Sequence, residues 1–254
     1  MPPEAAFKDH FSTQSDAYAR FRPTYPPGLF DWLAEISPAR DRAWDCATGN
    51  GQAAVELARH FAQVIATDAS EKQIRNAFAH PRVRYHVAPA EEPAIDAESV
   101  DLVTVAQAIH WFNMPRFHQQ VDHVLKPGGI LAVWAYGLFR STPAIDEIVL
   151  RLYRDIVGAY WPPDRGMIER GYVEVNLPFE PVDPPPFEMR LDWSADDLIG
   201  YIGTWSSVQG FKNHRGYDPV DHVRGELVAA WGGGVRTARW QLILKVARKP
   251  AEVE

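Results

Sequence analysis

Along the first half of the chain, short runs of β-branched and other apolar residues alternate with longer stretches in which apolar side chains recur every three to four positions. The first pattern suits buried strands and the second amphipathic helices, so the alternation predicts a parallel sheet with helices on both faces. Strands are expected at 42–47, 63–67, 82–87, 100–106 and 129–136. Helices are expected between them: at 51–61, where Ala54, Leu57, Ala58 and Phe61 share one face, at 70–78, and at 114–125 with Pro115 in the first turn. Lys126-Pro127-Gly128-Gly129 then stops the helix and turns the chain into the next strand. Two further helices, 14–21 and 27–36, precede the first strand, the earlier one ended by Pro23.

Beyond residue 136 the rhythm changes. A helix is expected at 143–157, but 158–186 has no period and ends in Pro178, Pro181, Pro184, Pro185 and Pro186, a density that neither a helix interior nor a central strand accepts. That stretch reads as a loop or lid. A strand at 187–193, helices at 195–209 and 218–230, and a strand at 238–247 alternating Trp240, Leu242, Leu244 and Val246 complete the chain. No repeat or long linker divides it, so one domain over 1–254 is expected: N-terminal helices at 10–36, a core at 42–136, and a cap and C-terminal region at 137–254.

With 254 residues, 46% of them hydrophobic, the chain has ample material for a core, which excludes disorder as the default. The net charge of −7 is spread evenly, and the pI is about 5.7. A nucleic-acid footprint normally shows as a clustered Lys/Arg stripe with a high pI, so nucleic acid is not the expected partner. The start, MPPEAAFKDH, has neither a basic nor an apolar segment of a signal peptide, and no apolar run approaches the roughly 20 residues that span a bilayer. A single cysteine, Cys46, fits a reducing compartment. The expectation is a cytoplasmic protein with no membrane partner, of open oligomeric state. No metal is expected either: the nine histidines contain no H-E-x-x-H, and His118 and His123 fall on different sides of a helix.

The chemistry concentrates in Trp44-Asp45-Cys46-Ala47-Thr48-Gly49-Asn50-Gly51-Gln52, a strand that runs into a glycine loop opening a helix. Such loops let a ligand approach the backbone beside unpaired helix N–H groups. Gly49-x-Gly51-x-x-Ala54 also satisfies the dinucleotide fingerprint, and Asp68, ending the second strand, could take the hydroxyls of any adenosine ribose. A nicotinamide-dependent oxidoreductase therefore stands beside the other readings at this point.

Three further segments discriminate: Asp45 four residues ahead of Gly49, Pro89-Ala90-Glu91-Glu92 followed by Ser99-Val100-Asp101-Leu102-Val103, and Leu125-Lys126-Pro127-Gly128-Gly129-Ile130-Leu131. Together they resemble, in order over residues 42–136, the class I S-adenosylmethionine (SAM)-dependent methyltransferases with a type 11 domain. Tyr18-Ala19-Arg20-Phe21-Arg22-Pro23-Thr24-Tyr25-Pro26, Ala106-Gln107-Ala108-Ile109-His110-Trp111-Phe112 and Thr204-Trp205-Ser206-Ser207 are similar to a small-molecule subgroup that includes the trans-aconitate methyltransferase relatives. The resemblance implies a doubly wound, Rossmann-like, seven-stranded α/β sheet of order 3-2-1-4-5-7-6 with strand seven antiparallel. It implies SAM as cofactor, S-adenosylhomocysteine as product and a small-molecule methyl acceptor. The implied cofactor contacts are Tyr18, Arg22, Asp45, Ala47, Gly49, Gly51, Asp68, Ala69, Gln73, Ala90, Glu91, Gln107 and Ala108. Ala47 replaces the first glycine of the family motif, which is comfortable if its φ is negative. Pro89 stands where many relatives have an acid for the adenine amino group, which shifts adenine recognition onto the Ala90 N–H.

Methyl transfer from a sulfonium is an in-line displacement, so the protein mainly aligns the reactants and excludes water. For a hydroxyl acceptor, His110, just past the fourth strand, is the candidate base, or else a wall of the pocket. A carboxylate acceptor needs only cations, for which Arg140, Lys212 and Arg215 are candidates. Trp111 and Trp205 are candidate substrate contacts with core packing as the alternative. A non-catalytic SAM sensor is the remaining reading.

Overall fold

A computed structural model describes residue 21 and residues 23–251. The expected helix 14–21, together with Tyr18 and Arg22, lies outside the described residues except for Phe21. The first described helix is α1, Pro27–Ile36, with proline in its first turn and Leu29, Phe30, Leu33 and Ala34 on its buried face. Five parallel strands follow: β1 (Arg42–Cys46), β2 (Gln63–Asp68), β3 (Val83–Val87), β4 (Val100–Ala106) and β5 (Leu125–Tyr136). Between them run α2 (Gln52–Leu57), α3 (Glu71–Arg75) and α4 (Met114–Val124). β6 (Glu180–Val182), β7 (Glu188–Trp193) and the long β8 (Arg236–Arg248) complete the sheet.

The strand path is β3-β2-β1-β4-β5-β8-β6, and β7 pairs with the first half of β8. β8 is antiparallel to β5, with the 188–193 strand on its outer side, as the resemblance implies. The added strand, β6, comes from the proline-rich stretch: Glu180–Val182 pairs with the end of β8, on the sheet edge where proline is tolerated. Both faces of the central strands are buried. Trp134 meets Tyr25 and Phe30 edge-on beneath α1, while Trp44 packs on Phe117 of α4. This two-sided burial is why β4 and β5 are almost continuously apolar.

The Lys126–Gly129 turn lies within β5. Val100 pairs with Leu125, but Leu102 pairs with Ile130, so residues 126–129 bulge opposite Asp101. The Asp101 carboxylate is fully buried there, accepting from the Asp41 and Arg42 N–H groups at 2.9 Å and pairing with Lys126 Nζ at 2.8 Å. Gly128 carries the turn at φ +76°.

Downstream, α5 (Pro143–Arg151) runs into a π-helical turn, Leu152–Ile156, and α6 (Arg165–Glu169) lies inside the stretch expected to be irregular. The expected helix 195–209 is two helices, α7 (Ala195–Gly203) and α8 (Ser206–Arg215). The Thr204 hydroxyl donates to the Tyr201 carbonyl and Trp205 turns extended, placing its indole in the core and ending the first helix. α9, Arg224–Trp231, follows a 3₁₀ turn. Among the described residues no helix is long and apolar enough to cross a membrane.

Candidate active site

β1, β2 and β4 are parallel and end on the same side, and the chain reverses winding direction between β1 and β4. Crevices at such switch points, at the carboxyl ends of the strands, are where open α/β sheets bind ligands. Every loop leaving these three strands carries a residue singled out in the sequence.

Asp45, on β1, is 1% exposed. Its two oxygens accept from the Thr48 hydroxyl at 2.5 Å and the Thr104 hydroxyl at 2.8 Å. Burial dominates these bonds and raises its carboxyl from 3.8 to about 6, with the nearby Asp68 adding to the rise. Among the described residues no cation pairs with it.

The loop after β1 is built on positive φ. Ala47 has φ +54°, Gly49 +58° and Gly51 +86°. Ala47 is therefore not in the comfortable region: it takes the left-handed backbone that a glycine would adopt without strain. A side chain on Gly49 would meet nothing within 4 Å, so that position faces open space, whereas one on Gly51 would stand 2.2 Å from Tyr85 Oη. Asp68, ending β2, accepts from the Gly49 N–H at 2.9 Å and the Ser70 N–H at 2.8 Å. Loop and acid are thus locked together, and Ser70 caps α3 through the Gln73 N–H. Ala69 is exposed beside them and Gln73 half-buried.

On the β3 side, Ala90 is buried and Glu91 accepts from the Asn113 N–H at 2.7 Å, tying this loop to the start of α4. After β4, Gln107 sits at φ +60° with its N–H bonded to the Trp134 carbonyl, and Ala108 is buried. Gln107 and Ala47 are two non-glycine residues held in the left-handed region at the same edge of the sheet, the kind of stored strain that gathers at functional sites.

His110 follows in a short 3₁₀ turn. Its Nδ1 lies 2.9 Å from Tyr172 Oη, and its ring lies 4.6 Å from that of Trp111, which is 48% exposed. Burial lowers the imidazole to about 4, so it is neutral near pH 7. Tyr172 is the residue that sequence reasoning missed. It comes from the aperiodic stretch, is fully buried at φ +55°, and burial pushes its phenol well above the ordinary value. No local pattern marks it, since its role depends on a contact 62 residues away in sequence.

The structure does not gather the expected cations here. Arg140 is exposed and paired with Asp146, Lys212 is held by Asp218 at 2.6 Å, and Arg215 donates to Tyr160 Oη at 3.0 Å. Trp205 is 4% exposed, packed against Tyr153, Trp161 and Tyr201. Among the described residues no group of three or more His, Cys, Asp or Glu side chains is placed to hold a metal ion.

The chain matches the methyltransferase domain family over residues 44–133, the segment that builds this crevice. It is 35% identical to a Dictyostelium discoideum protein described as a methyltransferase, over 91% of this chain and 89% of that one. A methyltransferase of Aspergillus fumigatus is 30% identical over 79% of this chain and 71% of its own. Among solved structures, a protein described as a type II methyltransferase from Anaeromyxobacter dehalogenans superposes with a TM-score of 0.87 at 41% identity, covering 91% of this chain and 100% of the other. Sheet order, the glycine loop between two buried acids, and relatives matched over most of their length lead to one assignment: the chain belongs to the class I SAM-dependent methyltransferases.

Proposed function

We propose that the protein binds SAM in the crevice at the ends of β1, β2 and β4 and directs its methyl group to an oxygen atom of a small-molecule acceptor. The observation that carries this reading is the Asp45 carboxylate, buried, bonded to two hydroxyls and without a cation beside it among the described residues. A buried anion without a counter-charge is costly, and a cationic ligand in that crevice offsets the cost. The open space at Gly49 and the backbone-fixed Asp68 suit an adenosyl ligand whose ribose hydroxyls meet the acid. When bound, SAM supplies a methyl group on a positively charged sulfur.

The residues of the chain then align and shield. Asp45 and Asp68 hold the ligand from below, Ala90 and Ala108 wall the crevice, and His110 stands at its mouth. The Nδ1 contact with Tyr172 Oη fixes the ring, and in the tautomer whose Nδ1–H donates to that oxygen the neutral His110 carries its lone pair on Nε2. An acceptor hydroxyl would give its proton to that nitrogen on taking the methyl group that SAM would supply. A carboxylate acceptor releases no proton and would not call on His110 as a base.

Asp68→Ala tests the binding half. SAM affinity is expected to fall at least tenfold with an unchanged circular dichroism spectrum, and unchanged affinity in a folded variant would contradict the assignment. Release of S-adenosylhomocysteine with a panel of small hydroxyl and carboxyl compounds tests the transfer half. SAM binding without turnover on any of them would favour a sensor.

A further inference from the structure

The cap holds a feature that the crevice described above does not use. An open cleft of about 370 Å³ lies between the π-helical turn and α6, with Tyr153, Arg154, Trp161, Arg165 and Glu169 among its walls. Its floor is aromatic. The Tyr153 and Trp161 rings lie 4.7 Å apart, and each rests on buried Trp205 at 5.7 Å.

Arg165 is set over this floor. Its Nε donates to Tyr153 Oη at 2.9 Å, and its guanidinium carbon stands 4.9 Å from the Trp161 ring centre. Tyr153 Oη in turn donates to Glu169 at 2.6 Å, so that carboxylate is engaged by the phenol. Among the described residues no carboxylate forms an ion pair with Arg165, and its two terminal nitrogens have no protein acceptor. Exposed Arg154 adds a second positive group at the rim. Tyr172, which meets His110, is tied to α6 by its N–H donating to the Met167 carbonyl at 2.9 Å, so the helix that carries Arg165 is anchored on the His110 side of the molecule. Arg140, Lys212 and Arg215 are engaged elsewhere, so Arg165 takes the place that the sequence offered to them.

A guanidinium fixed by its Nε and stacked on an indole presents its terminal N–H pair in the plane that a carboxylate fills with two parallel hydrogen bonds. Phosphate is tetrahedral and gains nothing from the half-buried Trp161 indole, whereas a planar group attached to the carboxylate can lie along it. We infer that this cleft is the acceptor subsite for a planar carboxylate compound, with Arg165 gripping the carboxylate, Trp161 stacking the attached planar body and buried Tyr153 holding Arg165 in place. The inference rests on the proposed methyl transfer to a small molecule and adds the chemical class of that molecule.

The test uses the full chain and three probes: benzoate, its neutral isostere benzamide, and inorganic phosphate. Each is titrated while the tryptophan indole signals are followed by ¹H–¹⁵N NMR, with Trp161 assigned through Trp161→Phe. SAM affinity is measured in parallel by calorimetry. Benzoate is expected to shift the Trp161 signal saturably, with benzamide and phosphate at least tenfold weaker. Arg165→Gln is expected to weaken benzoate at least tenfold and Arg165→Lys less, both with SAM affinity unchanged. Equal binding of benzoate and benzamide, phosphate binding as tightly as benzoate, full benzoate affinity in Arg165→Gln, or no benzoate response would each overturn the subsite. Wild-type protein that fails to bind SAM counts against the proposed function, whereas SAM binding without carboxylate preference counts against this inference alone.

Discussion

Replacing Asp45 by Asn should stabilise the ligand-free protein at neutral pH while weakening its cofactor site. The carboxyl is raised from 3.8 to about 6. At about 1.4 kcal/mol per pKa unit, ionised Asp45 costs the fold about 3 kcal/mol relative to its protonated form. The contribution is fully present below the unfolded value near 3.8 and is lost as pH rises through the folded value near 6. Asn cannot ionise, so it escapes this loss. Its carbonyl can accept from one of the two threonine hydroxyls and its amide can donate to the other. The stability of Asp45→Asn minus wild type should therefore climb by about 2 kcal/mol between pH 4 and pH 7, a shift of about 4 °C in Tm for a chain of this size. Thermal unfolding followed by circular dichroism across that range measures it. Taking the difference also removes the opposite trend of His110, whose lowered value near 4 makes stability rise with pH. A difference that stays flat from pH 4 to pH 7 would refute the reasoning. SAM affinity should rise with pH through about 6 in the wild type only, so that the variant binds more weakly above that pH and the two converge below it.

Ala47→Gly relieves the left-handed backbone at φ +54°, worth roughly 1–2 kcal/mol, against about 0.5–1 kcal/mol of added unfolded-chain entropy. A net gain of about 0.5–1 kcal/mol is expected in urea unfolding, and a net loss would mean that the methyl group packs usefully. His110→Ala should lower kcat about a hundredfold on a hydroxyl acceptor while changing SAM affinity less than twofold. Because burial holds His110 near 4, wild-type kcat at saturating SAM should fall only as pH drops toward that value, and an inflection near the ordinary value of 6.5 would contradict its buried placement.

Much of the parallel half could be read from the chain because its signals are local. Helix 27–36 carries its own proline start and one apolar face, and strand 100–106 is rich in β-branched and other apolar residues buried on both sides. The crevice was readable for the same reason: Asp45, the glycines, Asp68 and Gln107 sit at strand ends, where the direction of the chain alone brings them together. What could not be read depends on contacts distant in sequence. The Lys126–Gly129 turn became a bulge because Lys126 reaches the buried Asp101. Helix 195–209 broke where Trp205 enters an aromatic cluster drawn from the cap and α7. The positive φ of Ala47 cannot be inferred from an alanine, whose preference is the opposite. Tyr172 and Arg165 lie in the aperiodic cap stretch, and only folding sets one against His110 and the other over Trp161.

Calorimetric titration of the purified protein with SAM, S-adenosylhomocysteine and NAD in separate runs decides whether the crevice between β1 and β4 is a SAM site. Saturable one-to-one binding of SAM and S-adenosylhomocysteine is expected, abolished or weakened at least tenfold by Asp68→Ala, with no binding of NAD. Binding of NAD, or a folded protein that takes up neither adenosyl ligand, would contradict it.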